Sequence, residues 1–173
     1  RWTLDMDQLL SMITNVTKAV LINSPNNPTG WTMSKADQQR LLEHCRKTST
    51  WIVADDVYSR LSYSGPYAPN FLKICNTNDL VISVNSFSKA WSMTGWRLGW
   101  IVAPKQLESV LAMLTEFNIA GPSGFIQAAG AKIIRDGESE VQNLKKRLSD
   151  ALILTEERLR KIPNVSFAKP DGA

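Results

Sequence analysis

The sequence predicts an α/β fold built around a mixed, mostly parallel β-sheet. Short apolar runs of strand length alternate along the chain with longer segments whose apolar residues recur at helical spacing. Polar, turn-forming residues directly follow three of these runs, which is typical of parallel strands that end at a ligand site. A fourth run follows the third too closely for a crossover helix to fit between them, so it must run antiparallel if the two pair.

Length and charge are those of a single domain without a nucleic-acid or membrane partner. The chain has 173 residues, enough to bury a sizeable core, and carries a net charge of +4 with acidic residues mixed among the basic ones. So mild a surplus is typical of solvated helix faces rather than of a surface that binds nucleic acid. No apolar run approaches membrane-spanning length.

Cysteine and histidine usage argues against a metal site. Cys45 and Cys75 lie thirty residues apart, and His44 is the single histidine. Without a C-x-x-C pair or a second histidine, we expect no metal ligation and give His44 no catalytic role. Two unpaired cysteines are typical of a reducing compartment, so a cytoplasmic location is expected.

The first half of the chain alternates helices and strands. A helix is predicted over residues 4–13, and the capping-box spacing at Ser34 opens another that runs to about Lys47. Short apolar runs predict buried parallel strands at 19–22, 51–54 and 80–84. A long connection rich in Gly, Pro and Asn covers residues 62–79, and connections of that length are usually functional.

The second half is mostly helical. Residues 97–103 form the fourth predicted strand, and helices are predicted after Pro104, at 125–135 and at 139–162. A Gly-Pro-Ser-Gly break at 121–124 separates the first two of these helices. Pro163 ends the long helix, and we expect a further strand at 165–168.

The segment between the third and fourth strands carries an amine, hydroxyls and a guanidinium. Lys89 follows Ser86 and precedes Arg97 by eight residues. This set suits a phosphorylated aldehyde. The amine can form an imine with the carbonyl carbon, while the arginine and a serine hydroxyl hold the phosphate by charge-assisted hydrogen bonds.

Two other strand ends supply polar side chains. Asn27 follows the first strand, and Asp55 and Tyr58 follow the second. Either pattern alone is common in ordinary turns. Because parallel strands gather their carboxyl ends along one edge of a sheet, we expect these side chains to lie near Lys89.

These residues resemble a known family. Residues 86–99 resemble, over their whole length, the lysine segment of pyridoxal-phosphate-dependent class I/II aminotransferases. The run from Ser24 to Gly30 is similar to the N-P-T-G motif of that family, and residues 53–61 are similar to its D-E-V-Y segment, with Asp56 in place of the usual glutamate. The resemblance covers residues 4–172 and implies the three-layer α/β/α large domain of a fold type I enzyme, present incompletely.

The resemblance also implies roles for individual side chains. Six would contact the cofactor pyridoxal 5'-phosphate: Asn27, Asp55, Tyr58, Ser86, Lys89 and Arg97. Lys89 would hold it as an imine and, once freed by substrate, move a proton between the substrate's α-carbon and the cofactor. Asp55 would keep the pyridine nitrogen protonated, while Asn27 and Tyr58 contact the ring oxygen.

The implied reaction is amino-group transfer between an amino acid and a 2-oxo acid, carried out by a homodimer. The resemblance divides the chain into part of the cofactor-binding large domain at 1–137, a linking helix at 138–162 and the start of a small domain at 163–173. It also implies that a glycine-rich phosphate turn and an arginine for the substrate's α-carboxylate lie outside this sequence. We therefore expect these 173 residues to be a piece of a longer protein and inactive alone.

Two alternatives remain open at the level of sequence. C–S lyases and cyclopropane-forming synthases of the same fold share the lysine, aspartate and tyrosine. The sequence Met-Thr-Gly-Trp-Arg at residues 93–97 and the Thr-Gly after Pro28 nevertheless favour an aminotransferase. In some bacterial regulators the same fold is a non-catalytic sensor domain fused to a DNA-binding domain. An upstream winged-helix segment would identify a protein of that class.

Overall fold

A four-stranded sheet organises the computed structural model, which describes residues 2–173. The strands are β1 (Ala19–Asn23), β2 (Trp51–Asp55), β3 (Val81–Ser86) and β4 (Gly99–Val102). They lie side by side in chain order, with β1, β2 and β3 parallel and β4 antiparallel to β3. The predicted α/β class and mixed, mostly parallel sheet are confirmed, including the reversal of the fourth strand.

Five α-helices accompany the sheet: α1 (Met6–Met12), α2 (Lys35–Thr48), α3 (Glu108–Ile119), α4 (Gly124–Asp136) and α5 (Glu138–Leu159). The predicted cap of α2 is confirmed, because the Ser34 hydroxyl accepts a hydrogen bond from the Asp37 backbone N–H at 3.0 Å. The long helix α5 ends at Leu159, three residues before its predicted end.

One face of the sheet is packed and the other is open. Alternate strand residues join α1 and α2 in a buried core that consists of Met6, Ile13, Ile22, Met33, Leu41, Leu42, Cys45, Ile52, Ala54, Phe71 and Val81. The register pairs Leu21 with Val53 and Val53 with Ile82, so these side chains share the opposite face. Leu21 is 69% exposed, which marks that face as open.

A second core surrounds the segment between β3 and β4. Phe87 packs against Trp91 and Trp100, with ring centroids 5.3 and 4.9 Å away. Helix α5 contributes Val141, which is fully buried there. Helix α4 comes close through Gly130, where an added Cβ would lie 2.5 Å from Leu98 Cδ2. This packing anchors the Lys89 segment on both sides.

The prediction of a strand at 165–168 is wrong. Within residues 2–173, no strand includes this segment, and only Phe167 is half-buried. A strand needs a neighbour that accepts and donates ladder hydrogen bonds, and the described residues offer this segment none. Beyond it the chain folds back on earlier loops, where the Asp171 N–H donates to the Gly30 carbonyl at 2.8 Å and an isolated bridge joins Ser62 to Gly172.

Cys45 and Cys75 are both free thiols. Burial raises the pKa of Cys45 to about 11, so this thiol stays protonated and packs as an apolar side chain. No group of three or more His, Cys, Asp or Glu side chains in the described part of the chain could hold a metal ion. None of the helices between residues 2 and 173 is both long and apolar enough to cross a membrane.

Candidate active site

Three polar side chains lie on the open face of the sheet at the carboxyl ends of its parallel strands. Asn23 ends β1 and is in register with Asp55, which ends β2. Asp55 is in register with Val84, and Ser86 lies two residues further along β3. Because side chains two residues apart on a strand share a face, Asn23, Asp55 and Ser86 all project to the same side.

Asn27 and Tyr58 meet beyond these strand ends. The Asn27 side-chain amide donates to the Tyr58 hydroxyl at 2.9 Å. Asn23 holds the turn that carries Asn27, because its Oδ1 accepts from the Asn27 backbone N–H at 2.8 Å. The Asn23 amide also donates to the Asp55 carbonyl at 3.3 Å, which joins the first two strand ends. The structure thus brings together Asn27 and Tyr58, which the sequence placed on separate strand ends.

Lys89 lies beside the same tyrosine. Its Nζ is 5.6 Å from the centroid of the Tyr58 ring, within the range of a cation–π contact. Its neighbours Ser88 and Ala90 are buried, whereas Lys89 is half-buried. The backbone before it is fixed by the Ser86 hydroxyl, which accepts from the Ser88 N–H at 3.0 Å. The amine is therefore held on an anchored turn and remains accessible.

The two adjacent aspartates differ in their surroundings. Asp55 is half-buried, and its Oδ1 accepts from the Val57 N–H at 3.3 Å. Asp56 is only 4% exposed and accepts a hydrogen bond from the Ser83 hydroxyl at 2.5 Å. Burial raises the pKa of Asp56 to about 6, against the lowering effect of hydrogen bonds from Ser83 and Asn70. Asp55 is therefore the more accessible carboxylate on the open side.

Arg97 is exposed and bonded locally. It adopts a left-handed backbone conformation with φ of 51°, and its guanidinium donates to the Thr94 carbonyl at 2.9 Å. The Ser86 hydroxyl donates instead to the Leu98 carbonyl at 3.4 Å. No hydrogen bond joins Arg97 to Ser86 in the part of the chain that the structure covers, and their shared phosphate role stays a prediction.

A small cavity of about 270 Å³ opens beside the Asn27–Tyr58 pair. Pro170, Gly172 and Ala173 form its other wall. The end of the chain thus borders the site through the contacts that fold it back onto Gly30 and Leu61.

Asn23 and Ser83 are two site residues that the sequence did not reveal. Asn23 is a polar residue at the end of a strand, the same signal that identified Asp55. Ser83 lies inside β3 and supports Asp56 from the neighbouring strand. Its partner depends on strand register, which the sequence pattern alone does not supply.

Comparison with known proteins gives a consistent result. The family model described as aminotransferase class I and II matches residues 1–173. The chain is 32% identical over 171 residues to an aspartate aminotransferase of Pyrococcus horikoshii, which covers 98% of this chain and 43% of that protein. It is 30% identical over 179 residues to a probable aspartate/prephenate aminotransferase of Aquifex aeolicus, covering 98% of this chain and 44% of that protein.

Solved structures agree with this match. An aromatic aminotransferase from Pyrococcus horikoshii superposes with a TM-score of 0.90 at 31% identity, covering 99% of this chain and 46% of that one. An aspartate aminotransferase from Thermotoga maritima gives 0.85 at 30% identity, covering 98% and 44%. The chain spans less than half the length of the relatives it matches. On its sequence match and on its fold, the chain belongs to the class I and II aminotransferase family.

Proposed function

We propose that the whole protein containing this chain is a pyridoxal-phosphate-dependent aminotransferase, which moves an amino group between an amino acid and a 2-oxo acid. The observation that carries the proposal is the approach of the Lys89 amine to Tyr58, which is itself bonded to Asn27, at the sheet edge where Asp55 ends β2. Membership of the class I and II aminotransferases supports it. Relatives named for aspartate and for aromatic amino acids support amino-acid substrates, and one named for prephenate supports a 2-oxo acid substrate.

The side chains at this edge fit pyridoxal phosphate. The Asp55 carboxylate can accept a hydrogen bond from a protonated pyridine nitrogen, and the Tyr58 hydroxyl can donate to the ring oxygen. The Lys89 amine can attach the aldehyde carbon. When bound, the cofactor supplies an electron sink that stabilises negative charge on the substrate's α-carbon.

Lys89 is proposed to act as the general acid and base. Once the substrate's amino group has displaced it from the aldehyde carbon, its Nζ would take the proton from the substrate's α-carbon and deliver it to that former aldehyde carbon. A positioned group of this kind contributes roughly 10²–10⁴-fold in rate. The buried neighbours Ser88 and Ala90 restrict the backbone from which the amine reaches.

Asn27 and Tyr58 are proposed to orient the ring. The Asn27 amide that now donates to Tyr58 at 2.9 Å keeps the phenol oxygen in place and leaves its O–H free to donate elsewhere. Asn23 supports this arrangement through the Asn27 backbone.

Ser86 and Arg97 are proposed to hold the phosphate. The hydrogen bond from Ser86 to the Leu98 carbonyl is long at 3.4 Å, so little is lost when the hydroxyl turns to a phosphate oxygen. Arg97 is exposed, and its bond to Thr94 stays within one turn of chain. A guanidinium that is free to turn can meet a phosphate in the bidentate geometry that arginine favours.

We propose the same division of the chain as the sequence analysis: large domain at 1–137, linking helix at 138–162 and start of a small domain at 163–173. The burial of α5 supports it. Val141 near its start is fully buried in the second core, whereas Ile153 and Leu154 are 55% and 53% exposed. The helix therefore leaves the core as it proceeds.

We also propose that the whole protein is a cytoplasmic homodimer. Exposed apolar side chains on α3, among them Phe117 at 83% exposure, support a further protein surface against this helix. The two free thiols support a reducing compartment.

The test is direct transfer of an amino group. The whole protein is incubated with pyridoxal phosphate, a panel of amino acids and a panel of 2-oxo acids, and the newly formed amino acid is measured. Transfer should occur with at least one pair and be lost in Lys89→Ala, whereas Lys132→Ala on the exposed side of α4 should behave as wild type. Sulfur-compound cleavage without amino transfer, or undiminished transfer by Lys89→Ala, would contradict the proposal.

A further inference from the structure

A buried polar network lies on the packed face of the sheet, directly behind the candidate site. Ser83 is fully buried and donates to Asp56, and the Asn85 side-chain amide donates to the Ser83 hydroxyl at 2.9 Å. Asn70 lies close to the same carboxyl and lowers its pKa. Membership of the aminotransferase family does not by itself assign a role to this network.

The network joins three separate segments. Asp56 follows β2, Ser83 and Asn85 belong to β3, and Asn70 belongs to the long connection between them. Asn70 is itself fixed, since its Oδ1 accepts from the Leu72 N–H at 2.7 Å at the start of a short 3₁₀ turn. The Asp56 N–H also donates to the Val84 carbonyl at 2.9 Å. Asp56 is thus the residue at which these segments meet.

Packing alone does not fix the Asp56 carboxylate. On this side of the sheet it borders a cavity of about 380 Å³. The charged groups that face it there are Arg60 and Lys73 from the connection, and Asp55 is its neighbour along the chain. Strands β3 and β4 contribute only uncharged groups to this cavity, such as Asn85 and Trp100, and α4 contributes Ile134. With open space beside it, the carboxylate depends on its hydrogen bonds for direction.

Asp55 is the last residue of β2 and lies on the open face, whereas Asp56 follows it and reaches Ser83 on the packed face, so their side chains leave the chain on opposite sides. A backbone rotation that moves Asp56 away from Ser83 would therefore also turn Asp55. The turn that follows is fixed at the same point, because the Ser59 N–H donates to the Asp56 carbonyl at 2.9 Å and the Leu61 N–H to the Tyr58 carbonyl at 2.8 Å.

We propose that Asp56 is a positioning residue whose hydrogen bonds with Ser83 and with the Val84 carbonyl hold the end of β2 so that Asp55 and Tyr58 face the open side. The consequence for the reaction rests on the function proposed above for Asp55 and Tyr58. The hydrogen bonds of Asp56 are formed by the polypeptide itself and exist without the cofactor.

The first measurement is amide hydrogen exchange in the whole protein without cofactor. Asp56→Ala leaves the Ser83 hydroxyl without its buried acceptor. Exchange at the Ser59 and Leu61 amides should therefore rise about tenfold or more. Asp56→Asn keeps the shape and an acceptor oxygen and should restore protection. Asp136→Ala on the exposed side of α4 is the matched control and should leave these amides unchanged.

The second measurement separates positioning from general stability. With pyridoxal phosphate bound, Asp56→Ala should lower kcat at least tenfold, because Asp55 and Tyr58 are no longer held in their orientation. KM for the amino donor should change less than about threefold, because the contacts to the substrate remain. Asp56→Asn should recover most of kcat.

A pH series supplies an independent check. The pKa of Asp56 is raised to about 6 in the folded protein, chiefly by burial, so protonation favours the folded state. That stabilisation is present in acid and is lost as the pH rises through about 6. The Tm of the wild type relative to Asp56→Asn should accordingly fall between about pH 4 and pH 6 and change little above about pH 7.

The outcomes distinguish this proposal from the function on which it rests. Unchanged exchange in Asp56→Ala, or exchange raised equally in Asp56→Asn and Asp56→Ala, overturns the positioning role whatever the enzyme does. Failure of the whole protein to transfer amino groups contradicts the proposed function and leaves the exchange result, which needs no cofactor, intact.

Discussion

At the scale of residues, the adjacent carboxyl groups of Asp55 and Asp56 show how one strand end can serve two purposes. Extended backbone sends one side chain to the open face and the next to the packed face. The first remains accessible, while burial raises the pKa of the second to about 6. Sequence neighbours thus acquire different chemistry from geometry alone, which is why we propose Asp55 rather than Asp56 as the partner of a cofactor nitrogen.

Asp55→Asn should test that choice in the whole protein. The substitution removes a charge-assisted hydrogen bond worth about 1.5–3 kcal/mol, so cofactor affinity should fall about tenfold to a hundredfold. Catalysis should fall further still, because a neutral amide no longer keeps the pyridine nitrogen protonated. Cofactor Kd and kcat are the two measurements. A near-wild-type Asp55→Asn beside an inactive Asp56→Asn would show that the other aspartate fills this role.

The sequence was most informative where a residue type carries the chemistry by itself. Lys89, Asp55, Tyr58 and Asn27 could be proposed as site residues because each follows a recognisable apolar strand. The supporting hydrogen bonds could not be predicted in the same way. The contact between Ser83 and Asp56 depends on how β2 and β3 align, and a shift of one residue would turn Ser83 to the opposite face.

At the scale of elements, the close contact of α4 with the Lys89 segment depends on one glycine. A Cβ at Gly130 would lie 2.5 Å from Leu98 Cδ2 and 3.1 Å from Phe87 Cζ. Both neighbours are buried, so neither has much room to move. This helix face therefore sets how closely α4 supports the turn that carries the amine.

Gly130→Ala should lower the free energy of unfolding of the whole protein by about 1–2 kcal/mol, since overpacking outweighs the better helix propensity of alanine. Gly124→Ala in the same helix is the matched control. It has open space around the added Cβ, so this change should be neutral or stabilising. Denaturant unfolding measures both. Equal stability of the two variants would show that α4 does not pack against Leu98 as described.

The elements of regular structure were largely predictable, and the exception is instructive. Apolar runs followed by turn residues correctly predicted all four strands of the sheet within residues 2–173. The run at 165–168 is also rich in apolar residues, but it lies outside the sheet and is mostly exposed. Local pattern predicts the tendency of a segment, whereas strand pairing requires a neighbour that only the three-dimensional arrangement supplies.

At the scale of the whole molecule, residues 2–173 present more apolar surface than a single domain usually exposes. Leu21, Phe117 and Phe125 are 69%, 83% and 73% exposed. The exposed groups lie on the open sheet face and on the neighbouring helices α3 and α4. These faces are consistent with a chain that spans less than half the length of its relatives.

The 173-residue chain expressed alone should therefore self-associate and turn over no amino acid at rates near those of the whole protein. Light scattering and an amino-transfer assay measure the two properties. Replacing Leu21 and Phe117 by serine should reduce the scattering, whereas Thr155→Ser on the exposed surface of α5 should not. A monodisperse chain with full turnover would contradict this view of the molecule.

Lys89 is the amine proposed to bind the cofactor, and covalent trapping identifies the lysine that does so. The whole protein is incubated with pyridoxal phosphate, reduced with borohydride and digested, and the modified lysine is identified by mass spectrometry. We predict modification at Lys89, with none at that peptide in Lys89→Ala. Modification of a different lysine while Lys89 remains free would contradict the assignment of Lys89 as the cofactor-binding amine.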